Sequence, residues 1–325
     1  MYYIEEIRPA KATELLTKCG LSLPENVDYT AGLFDDNWQL AATASLKGDM
    51  IQGVAVDPDF QGEDMTGKLL THIVSRAKDK GLDSLHLFTK PDKTAQFEGL
   101  GFKTVAVARP YAALMEWGEG IETYREGLCA IRKPGGKAGA IVMNCNPFTK
   151  GHKYLVEQAA SKVETLYVIV VEEEKSLFSF ADRFAMAKAG TESLKNVVLL
   201  SGGRYAVSAL TFPSYFTGEA NLAKAHSAVD AEIFAQHIAP ALGVSVRFVG
   251  TEPFSQVTAV YNEALKERLP KYGIEVTEIE RLTDGAVAIS ASRVRKCYEA
   301  GDIEGLAALV PDTTLNYIKE NLWNK

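Results

Sequence analysis

Cysteine is scarce and scattered: the 325 residues hold four, Cys19, Cys129, Cys145 and Cys297, with no CxxC pair among them. That excludes a disulfide scaffold and a cysteine-cluster metal site, and it reads as free thiols in a reducing compartment. No stretch approaches the roughly 18 consecutive apolar residues of a membrane-spanning helix. The opening residues Met1-Tyr2-Tyr3-Ile4-Glu5-Glu6 carry acid where a secretory leader would carry base. The expected location is therefore the cytoplasm, with no membrane partner. Basic residues are outnumbered, 35 Lys and Arg against 42 Asp and Glu for a net charge of -7, which argues against a nucleic acid partner held by counterion release. Any bound phosphate must be met by a local arrangement. Repeats at solenoid period are missing too, and the one charge run, Glu172-Glu173-Glu174-Lys175, is short enough to be a surface strand end.

What is present is an ordinary globular composition, 46% hydrophobic and 24% charged, at a length that predicts two domains of roughly 150 residues each. Charge, a helix breaker and two glycines coincide at Arg132-Lys133-Pro134-Gly135-Gly136, so the expected organisation is domain 1–125, linker 126–137 and domain 138–325. Residues 37–46 and 51–56 read as a strand pair, followed by a helix over 67–80 and a strand over 84–89, a small α+β unit. Beyond the linker the pattern alternates. Strands are expected at 140–144, 166–171, 197–200 and 244–249, with helices at 152–160, 182–189 and 225–239. This α/β alternation predicts a doubly wound, Rossmann-like parallel sheet, whose ligands sit at the carboxyl ends of its strands.

The first such end is Asn144-Cys145-Asn146-Pro147-Phe148-Thr149-Lys150-Gly151-His152, where a strand runs through proline into a Gly-His pair that opens a helix. A helix N-terminus offers unpaired N–H groups and partial positive charge, Gly151 lets an anion approach, and His152 stands beside it. The second signal is Ile289-Ser290-Ala291-Ser292-Arg293-Val294-Arg295, a serine-capped helix start carrying two arginines. Cations there oppose the helix dipole unless an anion compensates them. Cys145 reads as a packing thiol, not an acyl relay. Tyr215 and Phe216, with Phe212, are candidates for an acceptor wall or for core aromatics.

Together these stretches resemble the two motifs of the nucleotidyltransferase branch of the HIGH-signature (HUP) superfamily: Thr149 to His152 as the first, Ile289 to Arg295 as the second, with Gly250-Thr251-Glu252 in place of a GxD turn. Thr149 stands where many relatives carry histidine, and Ala291 where they carry serine. The N-terminal half resembles GNAT acetyltransferases through Val56-Asp57-Pro58-Asp59-Phe60-Gln61-Gly62 and Phe97-Glu98-Gly99-Leu100-Gly101-Phe102, although Asp64 and Thr66 occupy the two glycine positions of the acetyl-CoA loop. An aspartate facing a pyrophosphate repels it, so a GNAT-like fold without ordinary acetyl-CoA catalysis is expected.

Both halves in this order, with Met143 to His152, Leu210 to Phe216 and Gly250 to Pro253, resemble the citrate lyase ligase family. The resemblance implies an ATP-dependent acetate ligase, working with Mg²⁺, that forms acetyl-adenylate. It would then acetylate the thiol of a phosphoribosyl-dephospho-CoA group on the citrate lyase acyl carrier subunit, releasing AMP and pyrophosphate. His152, Thr149 and Arg295 would be catalytic. Asn146, Pro147, Phe148, Gly151, Gly250, Thr251, Ile289, Ser290, Ser292 and Arg293 would hold the nucleotide, and no side chain would ligate a metal. The competing readings are nucleotidyl transfer to a small phosphorylated acceptor and a non-catalytic regulatory module that binds nucleotide and a partner protein.

Overall fold

The computed structural model describes residues 1–60, 64–173, 176–206, 212, 219–252, 256–284 and 287–323. Gln61, Gly62, Lys175, Pro253, Tyr215, Phe216 and the rest of the Leu210–Phe216 stretch apart from Phe212 lie outside them. The chain divides into two compact units, one of Met1–Tyr124 with Phe212–Val229, the other of Arg125–Thr211 with Asp230–Lys325.

The first unit is built on strands β1 (Tyr3–Glu6), β2 (Tyr29–Phe34), β3 (Leu40–Lys47), β4 (Met50–Val56), β5 (Leu85–Thr89), β6 (Lys103–Ala108) and β7 (Ala112–Trp117), in the order β1-β2-β3-β4-β5-β7-β6. Neighbours are antiparallel except β4 and β5, which are joined by a crossover containing helix Met65–Asp79. That helix buries Met65, Leu69, Leu70, Ile73 and Ala77 against Ala31, Leu33, Ala44 and Leu46 of the sheet, the one-sided spacing of an amphipathic helix on a sheet face. Strands β4 and β5 pair at Met50–His86 and Ile51–Leu87 and then part. A register shift opposite Thr43–Ser45 places Gly53 in β4 at φ +61, where a side chain would also meet Pro24. Such a bulge bends its strand. The parting opens a cleft of about 750 Å³ lined by Val54, Val56, Phe60, Met65, Phe88 and Phe97 among others.

Asp64 occupies the N-cap position of the crossover helix in a left-handed conformation, φ +53, without a side-chain cap hydrogen bond, and its carboxylate lies where a Cβ on Gly67 would stand. Negative charge thus sits at the N-terminal end of that helix. Phe212 packs edge-on against Phe88, ring centres 4.8 Å apart.

The second unit is a sheet of five parallel strands, β8 (Ala138–Met143), β9 (Thr165–Val170), β10 (Val197–Ser201), β11 (Val244–Gly250) and β12 (Glu275–Ile279), ordered β10-β9-β8-β11-β12. It is the doubly wound α/β sheet. Both faces are covered, so β9 is buried along its whole length, as expected of parallel strands. The chain moves outward from β8 to β10 and resumes on the other side at β11, which makes the β8–β11 boundary the switch point where a ligand crevice opens. A short antiparallel pair, β13 (Thr283–Asp284) and β14 (Val287–Ala288), precedes helix Ala291–Glu299.

Differences from the sequence reading are local. Helix Gly120–Ile131 occupies much of the segment read as linker. The helix expected from 225 begins at Glu219 and passes at Phe234–Ile238 into a π-helix before Ala239–Leu242. Strand β12 and helix Gln256–Arg268 were not anticipated. Among the described residues, no helix is long and apolar enough to cross a membrane.

Candidate active site

Strand β8 ends at Met143, and after six intervening residues helix Lys150–Ala160 begins. Thr149 caps that helix: its hydroxyl accepts the His152 N–H at 3.2 Å, while His152 Nδ1 accepts the Thr149 N–H at 3.0 Å. This is a capping box with histidine in the place of the usual glutamate. With Nδ1 an acceptor, neutral His152 carries its proton on Nε2. Burial, and secondarily the charge of Arg281, hold its pKa down at about 4, with the Pro147 carbonyl pulling weakly the other way. His152 is therefore uncharged at neutral pH, so it can donate a hydrogen bond but supplies no positive charge.

The turn before the helix is held from below by Arg183 of helix Phe180–Thr191, which is fully buried. Its Nη1 donates to Asn144 O (2.5 Å), Asn144 Oδ1 (2.8 Å) and Val171 O (3.0 Å), Nη2 to Glu173 O (2.8 Å) and Nε to Phe178 O (3.2 Å). One guanidinium thus gathers carbonyls beyond the ends of β8 and β9. Cys145, fully buried at φ +52, has its thiol pushed far up by burial. A buried, protonated thiol is packing, as the sequence suggested.

At the switch point lies a cavity of about 330 Å³. Thr149, Gly151, His152, Gly250, Thr251 and Ile289, all expected nucleotide-site or catalytic residues, line it. Residues separated by well over a hundred positions are thereby brought together. Gly151 eases that approach: a Cβ there would stand 3.3 Å from Ile289 O, a tight contact, and 3.4 Å from Thr149 Oγ1. The remaining expected residues are not among those that line it. Phe148 is fully buried and fills the space above Gly190. Asn146 Oδ1 accepts the Phe178 N–H at 3.3 Å, and its carbonyl accepts Arg295 Nη1 at 2.8 Å. Arg295 Nη2 donates to Ser292 Oγ at 3.1 Å, and Ser290 caps the helix that Arg293 enters. The second motif is thus tied to the first through Arg295.

Sequence reasoning missed several lining residues, Arg281 above all. Arg281, just beyond β12, is ion-paired through Nη1 to Glu252, just beyond β11, and its backbone N–H donates to Thr251 Oγ1 at 3.1 Å. Glu252 stands where a GxD turn would carry aspartate; nothing in the spacing singles out Arg281, because a strand as polar as Glu275–Ile279 gives little periodic signal. Among the described lining residues Arg281 is the sole Lys or Arg.

A family model for the citrate lyase ligase C-terminal domain matches residues 138–318. The citrate (pro-3S)-lyase ligase of Klebsiella pneumoniae is 41% identical over 288 residues, covering 87% of this chain and 84% of that protein. The chain belongs to the citrate lyase ligase family. The Escherichia coli K12 citrate (pro-3S)-lyase ligase is 36% identical across 98% of this chain and 92% of its own length. Among solved structures, Thermotoga maritima TmcAL bound with alpha-thio ATP is 14% identical, with a TM-score of 0.36 over 56% of this chain and 55% of that one. As a citrate lyase ligase, the protein is an enzyme.

The lowered His152 pKa sets a pH signature. Since the folded value lies near 4 and the ordinary one near 6.5, the unfolded chain takes up this proton first. The contribution to stability is present in full above about pH 6.5 and is lost as pH falls through about 4. An NMR titration of the His152 ring, assigned through a His152→Asn variant, is expected to show a midpoint near pH 4; a midpoint near 6.5 would remove the neutral-imidazole assignment.

Proposed function

We propose that this ligase activates acetate with ATP to form acetyl-adenylate and pyrophosphate. The acetyl group then passes to the thiol of the prosthetic group on the citrate lyase acyl carrier subunit, with release of AMP. The observation that carries the reading is the meeting of both nucleotide motifs in one switch-point cavity, in a chain of this family. Acetate is ionised at pH 7, as carboxylic acids have reference pKa values of about 4. Its attack on the α-phosphorus therefore requires positioning and charge neutralisation, with no general base. His152 donates its Nε2–H to an α-phosphoryl oxygen, and the N-terminus of helix Lys150–Ala160 adds the dipole. The Ser290-capped helix, with Ser292, Arg293 and Arg295, holds the departing pyrophosphate, Arg295 also locking that helix to Asn146. Mg²⁺ enters as MgATP, held by phosphate oxygens and water; among the described residues no group of three His, Cys, Asp or Glu side chains is arranged to hold a metal.

In this reading residues 138–325 carry adenylation, and residues 1–125 serve the second step. The cleft between β4 and β5 accepts the amide-bearing arm of the carrier, while Asp64 disfavours a nucleotide pyrophosphate at the crossover helix. A phosphorylated acceptor would need a further cation, and the described cavity offers Arg281 alone.

The test is exchange of labelled pyrophosphate into ATP with and without acetate, followed by hydroxylamine trapping and by transfer to the thiol of the purified carrier subunit. Acetate-dependent exchange and acetohydroxamate are expected. Exchange that proceeds equally without any carboxylate would point to nucleotidyl transfer, and nucleotide binding with no exchange to a regulatory module.

A further inference from the structure

Adenylation brings two anions together, a carboxylate and a triphosphate, and His152 is uncharged. The cavity's positive charge therefore comes from elsewhere. Arg281 follows β12, which lies two strands from β8, about 10 Å at the usual strand spacing. The pair with Glu252, whose side chain is 7% exposed, takes Nη1. Nε and Nη2, the side-on edge of the guanidinium, have no hydrogen-bond partner among the described residues. That edge matches the two oxygens of a carboxylate in a bidentate pair. Met143, Leu155, Ile279, Leu282 and Ile289 also line the cavity and give a short alkyl group an apolar wall.

We infer that Arg281 is the residue that binds the carboxylate substrate, receiving it side-on through Nε and Nη2, and that Glu252 is a positioning residue that fixes the guanidinium in that orientation. The inference rests on the acetate-activating reading above and adds the residue that selects the acid.

The experiment uses the full chain and pyrophosphate exchange, with acetate and ATP varied separately. Arg281→Gln is expected to raise the KM for acetate about 30-fold or more, from loss of a charge-assisted bidentate pair, while the KM for ATP stays within about twofold. Arg281→Lys, which keeps the charge and loses the fork, is expected to raise the acetate KM about 10-fold. Added guanidinium should restore exchange at low acetate in Arg281→Ala. A comparable rise in the KM for ATP overturns the assignment by placing Arg281 on a phosphate, and an unchanged acetate KM overturns it as well. If Arg281→Gln does not fold, Arg281→Lys decides by the same two criteria. A parent enzyme without acetate-stimulated exchange takes down both the functional reading and this inference, whereas an active parent with an indifferent Arg281 variant takes down the inference alone.

Discussion

Replacing His152 with asparagine is expected to lower the adenylation rate about 100-fold or more, while the melting temperature stays within about 2 °C of the parent. The two effects separate because the two ring nitrogens have different work. Nδ1 accepts the Thr149 N–H and closes the capping box at the head of helix Lys150–Ala160, and an asparagine Oδ1 stands close to where Nδ1 stood. Nε2–H is the donor available to the α-phosphoryl oxygen, and asparagine is too short to replace it. His152→Gln installs the residue a capping box ordinarily uses, its Oε1 able to accept the Thr149 N–H, and its longer side chain brings the amide nitrogen nearer the Nε2 position than asparagine does. That variant should likewise keep the parental stability and should keep more of the adenylation rate than asparagine does. If the asparagine variant adenylates normally, His152 is a capping residue and no more.

The capping box also shows where sequence reading stops. Thr149 followed three residues later by His152 has the spacing of a capping box, yet the chemical pattern expects glutamate or glutamine at the second position, and the pair was read for its phosphate chemistry alone. The βαβ alternation was legible because strands buried on both faces are nearly continuous apolar runs and their helices keep a separate period. The two motifs were legible because glycine and serine at helix starts have a local backbone reason. Gly151 gains a further reason from the backbone carbonyl of Ile289, more than a hundred residues away, which local pattern cannot reveal.

Arg281 and its pairing with Glu252 escaped for a related cause. Both follow strand ends, where no periodicity operates, and their pairing depends on β11 and β12 being neighbours. The segment Phe212–Val229 clusters with the N-terminal unit although it lies deep in the second half of the chain. Phe212 meets Phe88 through tertiary packing, and its local sequence gives no sign of it. A cut at 126–137 would accordingly leave Phe212 without Phe88, so the role of the N-terminal half is better tested by point substitutions in its cleft than by truncation.

Arg183 is the residue whose loss should be felt most widely. Helix Phe180–Thr191 would ordinarily turn an arginine outward, since a buried guanidinium forfeits its hydration. Here it is fully enclosed, and its donors meet the carbonyls of Asn144, Val171, Glu173 and Phe178. Those carbonyls lie past the strand ends, where the sheet no longer supplies partners, and each would cost about 1–3 kcal/mol if left buried and unpaired. Arg183→Met keeps the volume and removes every donor, so a destabilisation of about 3–5 kcal/mol is expected, read as a fall of about 10 °C or more in Tm for a unit of this size. Lysine cannot rescue it. Its single ammonium carries three donors on one atom, whereas the planar fork reaches carbonyls on several sides at once. Since the same guanidinium fixes Asn144, at the root of the turn leading to Thr149 and His152, adenylation at temperatures where Arg183→Lys remains folded should fall by about 10-fold or more. Chemical denaturation and exchange assays on the two variants test this together. Near-parental stability and activity in Arg183→Lys would show that charge at this position suffices and that the fork does not shape the site.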